Sequence, residues 1–314
     1  MRALVIGASG QVGHALAARL TALGHAVVGT HHTVPAPGTV SLDVTDTVAT
    51  ERLIAETEPD WVLCPGGVTR VDWCEDHPDE AMTVNRDAAA AAARAAARRR
   101  AGFVYFSTEY VFDGERGPYA EDDPVRPLSV YGRSKLEGER RVQAENARTI
   151  VIRTTVVYGP EPQGKNFVYQ LLRAMRRGEG WRAPSDQRSS PTYNVDLAAA
   201  TVELMEQDFA GVIHLAGPAV MDRYVFAREV CAAFGLAAEA IEPVETAALG
   251  QRARRPLRAG LAIERARRLL RTPLRPPAEA LGDMRRALEA GVPDATGSAG
   301  SVCRSAVDTP RKAP

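Results

Sequence analysis

Short unbroken apolar runs, separated by longer stretches of helical periodicity, set the pattern of the first half of the chain. The runs at 3–6, 26–29, 61–64, 103–106 and 150–153 lack the alternation of a half-exposed strand, so each reads as a strand covered on both faces. Between them, 11–23, 47–57, 86–99 and 131–146 are long enough to be crossover helices. The stretch 88–100 is almost all Ala and Arg, a strong helix former with a small-residue face for packing on a sheet. This order predicts an α/β fold with a parallel sheet, and right-handed crossovers make it doubly wound, of Rossmann type. After about residue 160 the alternation breaks up. There 212–215 is the one clear return to the sheet, with helices expected near 167–177, 195–207, 224–234 and 277–290. The expected organisation is a core over 1–160 and a smaller mixed α/β lobe over 161–294, some of whose segments return to the core. A tail over 295–314, rich in Gly, Ser, Pro and Arg without apolar periodicity, is expected to be disordered.

Charge and composition narrow the function. The 314 residues carry 39 basic and 39 acidic side chains, and a net charge of zero lacks the basic footprint of a nucleic-acid or membrane-surface binder. No apolar run approaches membrane length, and Met1 opens directly into a strand pattern rather than a signal peptide. Cys64, Cys74, Cys231 and Cys303 are scattered without metal-ligand spacing, so a reduced cytoplasmic protein is the expectation. The Arg98-Arg99-Arg100 cluster and the basic run 252–258 read as solvated surface, with a phosphate contact from the second left open. Asp72, Cys74, Glu75, Asp76 and His77 are too contiguous for a closed metal site and read as a helix start; no metal is expected.

Gly7-x-x-Gly10-x-x-Gly13 follows the first strand directly and opens a helix. Glycines there permit a tight turn and close backbone approach to a pyrophosphate, and the helix N-terminus offers free N–H groups to the anion. No Gly-Lys-Ser/Thr follows, which excludes a Walker loop. The second strand ends in Gly29-Thr30-His31-His32 with no acid to hold an adenosine 2′-hydroxyl, so the cofactor is expected to be NADPH, with NADH still compatible. Asp46 or Thr45 is the expected N-cap of the next helix, and Asp43 a candidate acceptor for the adenine amino group.

Ser107 and Thr108 end a strand, at the carboxyl end of the sheet where open α/β folds bind ligands. Tyr131 and Lys135 stand four apart on the following helix and share one face. A free phenol, with a pKa near 10, exchanges protons poorly at neutral pH, and a nearby ammonium is expected to lower that value. The three groups together predict carbonyl reduction, in which Tyr131 gives a proton to a carbonyl oxygen, Thr108 hydrogen-bonds it, and Lys135 tunes Tyr131 and anchors the nicotinamide ribose.

Over roughly residues 1 to 290 the motifs, in order, resemble the extended short-chain dehydrogenase/reductases, and among them the dTDP-4-dehydrorhamnose reductase group. The glycine turn, Leu42-Asp43-Val44-Thr45-Asp46, Val84-Asn85-Arg86-Asp87, Ser107-Thr108-Glu109-Tyr110-Val111-Phe112-Asp113-Gly114, Lys165-Asn166-Phe167 and Asp186-Gln187 with Ser190-Pro191-Thr192 carry the likeness. The resemblance implies a ketoreductase of nucleotide-linked deoxysugars, the dTDP-4-keto-6-deoxyhexose type or a similar metabolite. It implies Thr108, Tyr131 and Lys135 as catalytic residues. The cofactor site would comprise Gly7, Ser9, Gly10, Gln11, Val12 and Gly13, Thr30 and His31, Asp43 and Val44, Pro65, Gly66 and Gly67, with Tyr131 and Lys135. The substrate site would comprise Thr69, Thr108, Glu109, Val156 and Asn166. Glu109 stands where the group has Asp, Val156 where it often has Trp, and 64–67 replaces an Asn-Ala-Ala-Ala loop, so the sugar is open. Two alternatives remain: an epimerase or dehydratase with tightly bound NAD, and a cofactor-binding regulatory subunit of another enzyme. Beyond its small-molecule substrate no partner follows, a homodimer being compatible with the sequence.

Overall fold

The structure is a computed structural model that describes residues 1–291. The expected 295–314 tail, and Cys303 with it, lies outside the described residues. In chain order the first half forms β1 (Arg2–Val5), α1 (Gln11–Ala22), β2 (Ala26–His31), β3 (Thr39–Ser41), α2 (Thr47–Thr57) and β4 (Trp61–Cys64). Two short helices, α3 (Val71–Asp76) and α4 (Pro78–Met82), then lead through a π-helical turn (Thr83–Ala88) into α5 (Ala89–Arg98). β5 (Gly102–Thr108), α6 (Val130–Glu145) and β6 (Thr149–Thr154) follow.

The second half carries β7 (Val157–Tyr158), α7 (Phe167–Arg176), β8 (Trp181–Pro184), β9 (Arg188–Ser189) and β10 (Thr192–Tyr193). It continues with α8 (Asn194–Glu206), β11 (Gly211–His214), β12 (Met221–Asp222), α9 (Arg223–Phe234), β13 (Ile241–Val244), α10 (Glu264–Leu269) and α11 (Pro277–Glu289).

Seven strands pair in the order β11-β6-β5-β4-β1-β2-β3, every pair parallel. The doubly wound α/β sheet is as expected. The apolar runs became its central strands because both faces are covered: β4 and β5 are buried at every position. β3 has no apolar run to announce it, being three partly exposed residues at the sheet's edge. One face packs Leu16, Leu20, Leu197 and Leu204, so α1 meets α8 there; the other packs Ile54 and the alanines of α5. A third cluster, built around Tyr158, Leu171, Phe226, Val230 and Met284, joins α7, α9 and α11 beside the β8–β13 pair. β1 leads out to β2 on one side and β4 adjoins it on the other, and the crevice at this reversal is where an α/β sheet takes its ligands.

Candidate active site

A cleft of about 520 Å³ opens at the carboxyl ends of β1, β4, β5 and β6. Its first wall is the turn after β1, where Gly7, Ser9, Gly10, Gln11, Val12 and Gly13 all line the space. Close approach dictates glycine here: a Cβ on Gly13 would lie 2.2 Å from the Gly7 carbonyl oxygen. The Gln11 side-chain nitrogen is buried with no partner among the described residues, a donor suited to an anion. A second clasp, invisible in the sequence, comes from the far half of the chain, where Gln163 Nε2 donates to the Ser9 carbonyl at 2.7 Å.

The second wall is Pro65, Gly66, Gly67 and Thr69. Asn85, in the π-helical turn, pins this loop: its amide accepts from Val68 N–H at 3.0 Å, donates to the Val68 carbonyl at 3.0 Å, and reaches Ser134 Oγ on α6 at 2.9 Å. α6 also lies hard against the sheet. A Cβ on Gly138 would lie 2.2 Å from the Tyr105 hydroxyl and 2.4 Å from the Asn85 carbonyl oxygen. The helix starts at Ser129, whose hydroxyl accepts from Gly132 N–H at 3.1 Å. Glu75 accepts from Val130 N–H at 2.7 Å. The acidic 72–77 cluster is thereby a fastening device: Asp72 holds Ala253 N–H and Arg255, and Asp76 holds Arg252.

Thr108, Glu109, Tyr131, Lys135 and Val156 line the third wall. Thr108 Oγ1 donates to Glu109 Oε2 at 3.1 Å and accepts from Tyr110 N–H at 3.3 Å. Burial and the neighbouring Glu109 carboxylate raise the Tyr131 pKa, while the adjacent Thr108 hydroxyl pulls the other way. This corrects one expectation. The lysine does share a face with Tyr131, but its Nζ lies over the Tyr105 ring, 4.2 Å from the centroid. Burial lowers the Lys135 pKa to about 8, against opposing pulls from Cys64 and Glu139. The phenol therefore holds its proton rather than standing as a pre-formed phenolate. Behind it, Glu139 accepts from Ser107 Oγ and from Arg153 Nε at 3.0 Å and Nη2 at 2.7 Å, a buried ion pair.

Other expected site residues lie off the lining. Thr30 Oγ1 is buried and accepts from Gly7 N–H at 3.0 Å, bracing the turn. The His31 ring pairs with Thr39 Oγ1 at 2.7 Å, and the next residues, His32, Thr33 and Val34, reach the cleft instead. Asp43 is exposed and closes a turn onto Thr45, with His32 Nε2 3.8 Å away; Val44 packs on the sheet. Asp46 is the N-cap of α2, accepting from Ala49 N–H at 2.9 Å. Asn166 caps α7, accepting from Val168 N–H at 3.1 Å and Tyr169 N–H at 3.4 Å and donating to the Gly159 carbonyl at 2.9 Å. Its side chain is occupied by that frame.

Arg223, at the start of α9, is a lining residue that the sequence reading missed. It stacks over Phe167, forms no ion pair among the described residues, and burial lowers its pKa. Arg255 also departs from expectation: its side chain is 8% exposed, bound to Asp72 at 3.0 Å, rather than solvated surface.

The glycine cradle, the unpartnered Gln11 amide and the open switch-point crevice together fit a dinucleotide. The family model described as "RmlD substrate binding domain" matches residues 1–289. The chain belongs to this family.

A probable low-salt glycan biosynthesis reductase of Haloferax volcanii is 33% identical over 270 residues, 84% of this chain and 90% of its own. The dTDP-4-dehydrorhamnose reductase of Mycolicibacterium smegmatis is 34% identical over 286 residues, 90% of this chain and 84% of its own. Among solved structures, the dTDP-4-dehydrorhamnose reductase of Bacillus anthracis in complex with NADP superposes with a TM-score of 0.84 at 26% identity, covering 91% of this chain and 98% of that one. The resemblance read from the motifs, and the oxidoreductase class it carried, stand with these findings. No helix among the described residues is long and apolar enough to cross a membrane.

Proposed function

We propose that this chain is an NADPH-dependent ketoreductase acting on a carbonyl of a nucleotide-linked deoxysugar, of the dTDP-4-keto-6-deoxyhexose type. One observation carries the reading: Thr108, Tyr131 and Lys135 line the same cleft as the glycine turn. Relatives named as reductases support the reaction, and the NADP complex of the Bacillus anthracis relative supports the cofactor. When bound, a reduced nicotinamide dinucleotide supplies the hydride. Gly7 to Gly13 and the Gln11 amide would hold its phosphates, and Pro65 to Gly67 would flank it. Tyr131 keeps its proton through the neutral range and passes it to the carbonyl oxygen as that oxygen gains charge. Thr108 hydrogen-bonds the same oxygen, and Lys135 is an ammonium below about pH 8, within reach of the Gly67 loop. Arg223, which forms no ion pair among the described residues, gives the substrate side a cation suited to a phosphate of the nucleotide.

The test is reduction of a panel of nucleotide 4-ketosugars, followed by loss of the reduced-nicotinamide absorbance. Tyr131→Phe should lower kcat by roughly 100-fold or more while cofactor affinity stays unchanged. Undiminished turnover in that variant refutes the acid assignment, and a higher kcat/KM with NADH refutes the NADPH part alone.

A further inference from the structure

Gln163 joins the two banks of the cleft. It lines the space together with Ser9, and its Nε2 donates to the Ser9 carbonyl at 2.7 Å across 154 positions of chain. The Gln163 loop comes after β6 and β7, whereas Ser9 stands in the turn after β1. β5 and β4 lie between β6 and β1 in the sheet, which puts those two strands about 14 Å apart. A bond between the loops that follow them spans the carboxyl ends of β5 and β4, where Thr108, Gly66 and Gly67 face the cleft.

The rest of the loop is tied to its own half of the chain. Glu161 Oε1 accepts from Lys165 N–H at 2.8 Å and Asn166 N–H at 2.6 Å. Asn194 Nδ2 donates to the Pro160 carbonyl at 2.8 Å, and Arg173 Nη1 to the Gly164 carbonyl at 2.7 Å. These bonds fix 160–166 on the second half, and among the described residues Gln163 gives that loop its one hydrogen bond to the first. The bond opens easily. Both partners are neutral and the contact is only partly buried, so water can replace it, and a bond of that kind favours the closed state by only about 2- to 10-fold. The Gln163 side chain can swing aside while the frame around it stays in place.

We propose that Gln163 is a latch: its bond to Ser9 closes the 160–166 loop over the dinucleotide, and it must open for the cofactor to enter or leave. This rests on the cofactor half of the reading above, that the cleft takes a dinucleotide with its phosphates on the glycine turn. A dinucleotide running from that turn past Gly66 and Gly67 toward Thr108 lies along the span that the bond crosses. A direct contact to the cofactor would add to affinity. The latch does not, because both of its ends belong to the protein. Losing it takes as much from the free protein as from the complex, and a state equally favoured in both shifts no binding equilibrium. What it sets is the rate of passage, in both directions.

Stopped-flow binding of NADPH, with NADH in parallel, tests this with no sugar substrate involved. Entry is read from the change in nicotinamide fluorescence on mixing, and exit from displacement by excess oxidised cofactor. Gln163→Met keeps the length of the side chain and removes the donor; Gln163→Ala removes the arm as well. In both variants the association and dissociation rate constants should rise together, by about 3- to 10-fold, with Kd nearly unchanged. A faster dissociation alone, with Kd weakened to match, makes Gln163 a brace of the turn or a contact of the cofactor and overturns the latch. Unchanged rates overturn it too. So does a fast Ala variant beside a Met variant as slow as the parent, since bulk rather than the bond would then be the gate. If the unmodified protein binds neither NADPH nor NADH, the cofactor reading and the latch fall together; if it binds one of them and the variants exchange it no faster, the latch falls alone.

Discussion

Replacing Glu139 by leucine should be among the most damaging single changes in the chain. The Glu139 and Arg153 side chains are 3% and 5% exposed, so neither can fall back on water. The carboxylate accepts two charge-assisted bonds from Arg153, at 3.0 and 2.7 Å, and a third from Ser107 Oγ. Without it the guanidinium keeps only the Glu121 carbonyl at 3.2 Å and the face of Phe112, 5.2 Å from the centroid. An uncompensated buried charge of this kind costs about 3–5 kcal/mol. With a denaturant slope of about 3 kcal/mol/M, the urea midpoint should fall by roughly 1–2 M. The Arg153→Met/Glu139→Leu double variant removes both charges and should recover most of the loss, leaving a favourable coupling energy in the cycle. A Glu139→Leu midpoint within experimental error of the parent would refute the claim that the pair is desolvated. Glu139 also stabilises the Lys135 ammonium, whose pKa is about 8. Its removal lowers that pKa further, and a lysine is charged only below its pKa. The alkaline loss of activity should therefore begin at lower pH in any Glu139 variant that still folds.

Three further outcomes follow from the site. In the unmodified enzyme, kcat/KM should fall as pH rises through about 8, where Lys135 gives up its proton; a profile flat to pH 10 would deny the ammonium a role. Arg223→Ala should raise KM for a nucleotide sugar by about 10- to 100-fold, the worth of a charge-assisted phosphate contact, and leave cofactor affinity alone. Asn166→Ala should cost about 1–2 kcal/mol in thermal unfolding through loss of the α7 cap without changing KM; a large KM rise at unchanged stability would return Asn166 to the substrate.

The core strands were legible because a strand buried on both faces must be apolar throughout, as Trp61–Cys64 and Phe103–Phe106 are, and that pattern survives in one dimension. The glycine turn was legible for a related reason: a Cβ at position 13 collides with the turn's own backbone, so geometry leaves its mark on residue choice. The four-residue spacing of Tyr131 and Lys135 placed both on one face of α6. Which way their polar ends turn was beyond the sequence. Lys135 settles over Tyr105, a residue of β5, and Tyr131 meets Thr108 and Glu109, because α6 is pressed onto the sheet at Gly138 and tied to Asn85. Arg223, Gln163 and the burial of Arg255 come from segments far along the chain with no periodicity to mark them, brought in by packing of the second half. Asn166, Thr30 and Asp43 show the converse: a polar residue in a recognisable motif can spend its hydrogen bonds on a cap or a turn. Local sequence thus determined the sheet, the glycine turn and the identity of the candidate reacting groups, since each depends on neighbours a few residues away. Their protonation and orientation were decided by tertiary structure alone, because desolvation and charge act through distances that only the folded chain defines.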